Sequence, residues 1–163
     1  MVCKILIIVV VILIYVFYRV YLKDFIEVRK TFMTLKKFLS TRDALLLKLL
    51  PELENTIDAN KILSFVEERR LNFESSYNNA IKSDVKLNKE LKTAYAKISK
   101  TKLNSISLQL FNTILKTESE LKNLRANYNE VVEKYNNNLV KHNLVCLKVI
   151  KMKPLDTYKV MQK

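Results

Sequence analysis

The first pattern along the chain is an apolar run near its beginning. Residues 5–18 read ILIIVVVILIYVFY without a charge, and the apolar character continues past Arg19 to Leu22. A helix of about 17–25 apolar residues is long enough to cross the hydrocarbon core of a bilayer. The following stretch, YRVYLKDF, lacks the small residues at which a signal peptide is cleaved. We therefore predict an uncleaved transmembrane anchor over residues 1–23, in preference to a cleaved signal peptide or a buried core helix.

Beyond the anchor, apolar residues recur at alternating spacings of three and four, which is typical of amphipathic helices. One stripe runs from Phe25 to Ile57, and another runs from Leu110 to Leu139. Asp58 precedes a third amphipathic stretch and is a candidate N-cap. Polar segments at residues 40–43, 83–90 and 99–105 predict breaks between helices, and Pro51 predicts a kink or a break with a restart.

The composition agrees with a helical fold, because the chain contains no Gly and only two Pro. Tight turns and hairpins draw heavily on Gly, so its absence argues against a β-rich protein. We predict an all-α fold, in which the transmembrane helix is followed by an antiparallel three- or four-helix bundle with long helices. The bundle is assigned to residues 24–145 and a basic C-terminal tail to residues 146–163. A continuous coiled-coil rod is the alternative, and the polar breaks favour folding back.

The net charge of +13, from 29 Lys and Arg against 16 Asp and Glu, indicates an anionic partner. No aromatic platform or groove-reading motif points to nucleic acid. Basic residues instead follow the apolar run directly, and they predict contact with anionic lipid headgroups. These membrane-proximal residues are Arg19, Lys23, Arg29, Lys30, Lys36 and Lys37. Since cytoplasmic flanks carry the excess of basic residues, they also predict a single-pass anchor with the helical domain in the cytoplasm.

The residue types that carry chemistry do not assemble a catalytic site. A phosphate-binding loop needs Gly, and a zinc site or a disulfide framework needs more than His142, Cys3 and Cys146. The tightest acidic pairs are interpreted as solvated surface: Glu67 with Glu68, and Glu118 with Glu120. We therefore predict no enzyme, no cofactor and no metal.

A Tyr-Asn pair occurs twice in the last helix, one heptad apart, at Tyr128–Asn129 and Tyr135–Asn136. Seven residues place both tyrosines on the same helix face. One interpretation is a strip that binds a partner. The preferred interpretation is structural: the rings are buried in the bundle and hydrogen-bond through their hydroxyls, while the asparagines bond to neighbouring loops or helices.

The segment TESELKNLRANYNEVVEKYNNNL, residues 117–139, resembles the signature of the LemA family of bacterial membrane proteins. The matching positions are Thr117, Glu118, Arg125, Tyr128, Asn129, Val132, Tyr135, Asn136 and Leu139. Leu108–Gln109 and the segment DALLLKLLPELENTI, with Pro51 in the proline position, are similar to two further family segments. The chain departs from the family at His142–Asn143 and in its final residues, so it resembles a divergent member. The resemblance implies a membrane anchor followed by a four-helix bundle, in the bacterial inner membrane.

Together these features predict a membrane-anchored, non-enzymatic bundle that serves as a scaffold or interaction module for an unknown protein partner. The alternative is an accessory subunit in envelope stress or membrane-protein quality control. The sequence leaves open whether the chain forms a homo-oligomer.

Overall fold

The computed structural model describes residues 2–141 and 153–158, without the side chains of residues 2, 3, 17, 20, 21 and 141. The described part is all-helical, as predicted, apart from short connections and a segment without regular secondary structure at residues 153–158. Its elements are α1 (Val2–Leu49), a single 3-10 turn (Leu50–Leu53), α2 (Ala59–Ser75), α3 (Tyr77–Ile98) and α4 (Ser105–Lys141). His142 and Cys146 and the side chain of Cys3, considered above as chemistry-bearing residues, lie outside this description.

The long helices α1 and α4 pack side by side in opposite directions. Near one end, Asn138 donates to Asp24 at 2.6 Å, and near the other, Asn104 donates to Glu52 at 2.8 Å. The shorter helices α2 and α3 form a second antiparallel pair, in which Lys86 contacts Glu68 at 3.0 Å. The buried residues of both pairs meet in shared apolar clusters, so the four helices form one bundle.

The core of the bundle is divided into two apolar clusters. One lies towards Pro51 and contains Leu46, Leu49, Leu53, Leu91 and Ile114. The other lies towards the N-terminal half of α1 and contains Val28, Phe32, Leu35, Tyr128 and Tyr135 among its members. Both take their residues from the predicted stripes of three and four spacing, because those positions form a single face of each helix.

Several predicted helix boundaries are confirmed. α1 ends at Leu49 and the 3-10 turn carries Pro51 in its first positions, where the missing N–H is tolerated. The side chain of Asp58 accepts a hydrogen bond from the Lys61 N–H at 3.0 Å and caps α2. Residues 99–104 connect α3 to α4, as the polar segment there indicated.

The predicted breaks at residues 40–43 and 83–90 are wrong. The first segment lies inside α1, and the second lies inside α3. Both polar segments were expected to separate helices, but Arg42, Ser83 and Asp84 are buried. The helices continue there because the polar side chains find partners inside the bundle; the chain instead reverses at Ser76, between α2 and α3.

The N-terminal part of α1 extends beyond the bundle. Every side chain from Ile5 to Val16 is between 47% and 63% exposed, and the first buried residue described after them is Asp24. Among the described side chains, no helical stretch is both long enough and apolar enough to span a membrane. The transmembrane helix therefore stays a prediction from the sequence.

Candidate functional site

A layer of polar side chains crosses the bundle between the two apolar clusters. All four helices contribute, and the layer carries three basic and three acidic groups. Its members, called the polar layer below, are Arg42 and Asp43 of α1, Arg69 of α2, Asp84, Asn88 and Tyr95 of α3, and Glu118 and Arg125 of α4. Charged groups this deep in a protein persist only when they are paired, and here opposite charges are equal in number.

Asp84 is the centre of the polar layer. Its side chain is fully buried, and one carboxylate oxygen accepts hydrogen bonds from Arg69 at 2.7 Å and Arg42 at 3.1 Å. The other oxygen accepts from Arg125 at 3.1 Å and from Asn88 at 3.2 Å. One carboxylate of α3 therefore joins arginines of α1, α2 and α4.

Glu118 and Asn88 complete the pairing of two of these arginines. Arg42 donates to Glu118 at 2.9 Å and to the amide oxygen of Asn88 at 2.7 Å. Arg125 also donates to Asn88, at 3.0 Å, and contacts Glu118 at 3.4 Å. The hydroxyl of Tyr95 donates to Glu118 at 3.4 Å. The interpretation of Glu118 as part of a solvated surface is thus wrong, whereas Glu67 and Glu120 are exposed and Glu68 pairs with Lys86 near the surface.

Asp43 provides the second carboxylate for Arg69, on the α1 side of the layer. It also lies 3.6 Å from the Nε atom of Arg42. Both arginines have fully or almost fully buried side chains. Residues 42 and 43, which the sequence suggested as a break, therefore pair α1 with α2 and α3.

The electrostatics of the layer favour its charged state. Burial alone would raise the pKa of Asp84, but the surrounding guanidinium groups of Arg42, Arg125 and Arg69 hold it well below its usual range. Burial likewise disfavours the charge on Arg42, yet the nearby carboxylates of Asp84 and Glu118 raise its pKa. Burial and the neighbouring Arg42 lower the pKa of Arg69 to about 10, so this group also stays charged at neutral pH.

The tail segment, residues 153–158, lies against α3 and α4. Asn136 donates to the carbonyl of Leu155 at 2.8 Å and accepts from its N–H at 2.9 Å. Asn129 pairs in the same way with Tyr158, at 2.7 and 2.6 Å. Asn78 of α3 accepts from the Asp156 N–H at 2.9 Å. The two Tyr-Asn pairs thus place their amides on the backbone of this segment, which the sequence had assigned to a separate basic tail.

The tyrosines of the two pairs lie beneath the tail segment. Tyr128 and Tyr135 are 0% and 2% exposed. The ring of Tyr158 meets Tyr128 edge-to-face at 5.8 Å, and the guanidinium of Arg125 lies 5.7 Å from the Tyr158 ring. The Tyr135 hydroxyl lies 3.5 Å from the carbonyl of Lys153, whereas that of Tyr128 has no partner in the described part of the chain. The tail segment therefore covers one edge of the polar layer.

The basic residues that were predicted to lie near a membrane are along the outside of α1. Five of them are exposed, and Lys36 is half-buried with its ammonium 5.6 Å from the ring of Phe73. The helix is continuous from the apolar run to Leu49. At a rise of 1.5 Å per residue, Lys37 lies about 27 Å along the helix from Arg19. The six residues consequently form a column rather than a single patch.

Two further observations give less support for a functional site. Ser105, Leu108, Gln109 and Asn112 line a shallow open depression on the outer face of α4, where no charged groups converge from other helices. Among the described residues, no three His, Cys, Asp or Glu side chains converge as metal ligands.

Sequence reasoning missed most of the polar layer, although a signal was present. Arg42 falls at a stripe position, three residues after Leu39 and four before Leu46. Arg69 and Asp84 occupy the corresponding positions on α2 and α3 and are buried. Charges of opposite sign at core positions of several helices indicate a buried ion layer, which accounts for both residues 40–43 and residues 83–90 without two separate breaks.

Comparison with known proteins assigns no family to this chain. A scan of protein-family models and a search of curated proteins both return no match for this chain. The resemblance to the LemA family therefore stays a prediction from the residues quoted above.

Proposed function

We propose that the chain is a single-pass membrane protein of the LemA type, whose bundle is a non-enzymatic scaffold or interaction module at the cytoplasmic face of a bacterial inner membrane. The observation that carries the proposal is the exposure of twelve consecutive apolar residues, Ile5–Val16, at the free end of α1. Burying one such side chain is worth about 1.5–3 kcal/mol, so the segment is stable only when something apolar covers it.

A bilayer is the covering that fits this segment best. In the sequence the apolar run continues to Leu22, through residues 17, 20 and 21, whose side chains are outside the described set. Arg19 and Lys23 then lie within reach of anionic headgroups, where each basic residue is worth about 1 kcal/mol. Lys36 and Lys37 lie more than a Debye length of about 8 Å from that surface if α1 stands upright, so we restrict the lipid contacts to the residues nearest the anchor.

The polar layer supports a scaffold rather than an enzyme. The side chains of Arg42, Arg69 and Asp84 are at most 1% exposed. Those of Asp43, Arg125 and Glu118 are 14%, 16% and 20% exposed but are engaged in ion pairs within the layer. A group that acts on a substrate has to be reachable from solvent or from a pocket. Pairs that join four helices instead fix the register of the helices, which is the best-attested role of buried polar groups.

Two exposed apolar side chains of α4 favour binding to another protein. Ile106 and Leu108 are 67% and 49% exposed and lie on the two flanks of the face that buries Ser107, Phe111 and Ile114. Apolar side chains outside the buried face of a helix exceed what the bundle core requires. They support the interaction module.

The anchor is tested by cell fractionation of the full chain. Val10→Arg together with Leu13→Arg places two charges in the apolar run, at about 2.5–3.5 kcal/mol each at the centre of a membrane helix. We expect this variant to leave the membrane fraction. The control, Leu71→Arg with Val140→Arg, adds the same charges at bundle positions that are 72% and 76% exposed and should stay membrane-bound. Equal fractionation of both variants contradicts the anchor.

The module is tested by crosslinking in intact membranes through a C-terminal tag. We expect a discrete crosslinked protein that is lost when Ile106 and Leu108 are both changed to Ser and is retained in Leu71→Ser. A crosslinking pattern that is the same in all three proteins contradicts partner binding through α4.

A further inference from the structure

The tail segment contacts the bundle in the way that a bound peptide contacts a receptor. It is not helical, and eleven residues, 142–152, separate it from the end of α4. Its contacts include both backbone hydrogen bonds and two inserted side chains. We call its surroundings the tail site: Asn78 of α3, and Tyr128, Asn129, Tyr135 and Asn136 of α4.

The spacing of the asparagines matches an extended chain. Asn129 and Asn136 are seven residues apart, which is about 10.5 Å along a helix. Their partners Tyr158 and Leu155 are three residues apart, which is about 10 Å along an extended backbone. Each asparagine amide both donates to and accepts from one residue, as a neighbouring β-strand would. The tail site therefore presents two side-chain amides that pair with a peptide backbone at residues three apart.

Hydrogen bonds to the backbone recognise the conformation of a peptide, and contacts with its side chains determine which sequence binds. Tyr158 is 5% exposed, between Tyr128 and the guanidinium of Arg125. Leu155 packs against the apolar cluster that contains Val28. Asp156 contacts Lys82 at 3.5 Å, but both side chains are exposed and such a pair contributes little. The site thus selects an apolar residue and a tyrosine three positions later.

We propose that the tail site is a peptide-binding site for an extended segment of a partner protein with the pattern apolar-x-x-Tyr. Residues 153–158 are its tethered occupant, and they compete with the partner. Competition follows because the two segments would occupy the same contacts, and a segment of the same chain is present at a high effective concentration. The inference rests on the proposed function only in treating the bundle as a binding module, and it does not depend on the anchor.

The test is binding of a fluorescent peptide, Lys-Pro-Leu-Asp-Thr-Tyr, to the full chain in detergent micelles, followed by fluorescence anisotropy. In Leu155→Ala with Tyr158→Ala the tethered segment loses both inserted side chains. We expect this tail variant to bind the peptide at least about tenfold more tightly than the unmodified chain does. Adding Asn129→Ala and Asn136→Ala to the tail variant should remove binding, whereas adding Asn137→Ala, at an exposed neighbouring position, should not.

N-methylated peptides test the backbone hydrogen bonds without changing the protein. This test is therefore independent of whether the asparagine variants fold. Methylation of the Leu or the Tyr nitrogen removes a donor to Asn136 or Asn129 and should weaken binding about tenfold. Methylation of the Thr nitrogen, which pairs with neither asparagine, is the control. Equal binding of all three peptides, or no binding to the tail variant, overturns the proposal.

Two further outcomes separate this inference from its alternatives. In the first, the unmodified chain self-associates with increasing concentration, and both the tail variant and the asparagine variants lose this association. That result would assign the site to the tail of a second copy of this chain and would overturn the proposal of a different partner protein. Peptide binding by a chain that fails to fractionate with membranes would contradict the anchor alone and leave the tail site supported.

Discussion

Replacement of Asp84 by Asn tests whether the polar layer holds the bundle together. The substitution keeps the size of the side chain but removes the carboxylate that faces Arg69 at 2.7 Å and both Arg42 and Arg125 at 3.1 Å. Three guanidinium groups are then left with the carboxylates of Asp43 and Glu118. Removing one partner of a buried ion pair costs about 3–5 kcal/mol, because the charge that stays behind is desolvated and uncompensated.

This loss is a large part of the free energy of unfolding of a domain, which is about 5–15 kcal/mol. In urea, at a slope of about 2 kcal/mol per molar, it moves the unfolding midpoint down by about 1.5–2.5 M. The measurement is far-UV circular dichroism of the full chain in a mild detergent. The control is Glu68→Gln, which removes a partner of Lys86 at 3.0 Å between side chains that are 39% and 59% exposed. An exposed pair is worth less than about 1 kcal/mol.

If Asp84→Asn and Glu68→Gln shift the midpoint equally, the layer does not stabilise the fold and the reasoning is refuted. Acid supplies an independent check. The lowered pKa of Asp84 means that its contribution is fully present above the unfolded pKa of about 3.9 and is lost as the pH falls towards the folded value. The free energy of unfolding should therefore decrease below about pH 4 in the unmodified chain, and decrease less steeply in Asp84→Asn.

Three other substitutions test separate parts of the structure. Tyr128→Phe should change the free energy of unfolding by less than about 1 kcal/mol or increase it, because the buried hydroxyl has no partner in the described part of the chain; a larger loss in urea unfolding would reveal a hydrogen bond. Leu87→Ala, at a position with 0% exposure, should cost about 2–5 kcal/mol in the same assay, whereas Leu71→Ala, at 72%, should cost less than about 0.5 kcal/mol. Asp58→Ala removes the cap of α2 and should cost about 1 kcal/mol; no change would mean that the cap is replaced by water.

The helical fold was predictable because apolar spacing, the absence of Gly and the position of Pro51 all depend on local geometry. The cap at Asp58 and the connection at residues 99–104 were predictable for the same reason. The polar layer was not predicted, since Arg42 and Asp84 look like solvated residues until partners from other helices are known. Pairing across four helices is a long-range property, and it turned two apparent breaks into helix interiors.

The contact between the tail segment and the Tyr-Asn pairs could not be predicted from the sequence either, because it too is a long-range contact. The heptad spacing of Asn129 and Asn136 showed that the amides share a face, and bonding to a neighbouring loop or helix was one interpretation. Nothing local to residues 153–158 identifies them as the segment that fills that face. Only the folded structure shows that Leu155 and Tyr158 lie against the two amides.

The unbroken course of α1 has a mechanical consequence. No Gly, Pro or turn separates Ile5 from Leu49, so the segment proposed for the bilayer and the bundle share one stiff rod. The length from Arg19 to Leu49 is about 45 Å at 1.5 Å per residue. If the bilayer thins and the rod leans by a typical 20°, the far end of the bundle swings sideways by about 15 Å. With the proposed anchor in place, a change in bilayer thickness would move a surface well above the membrane.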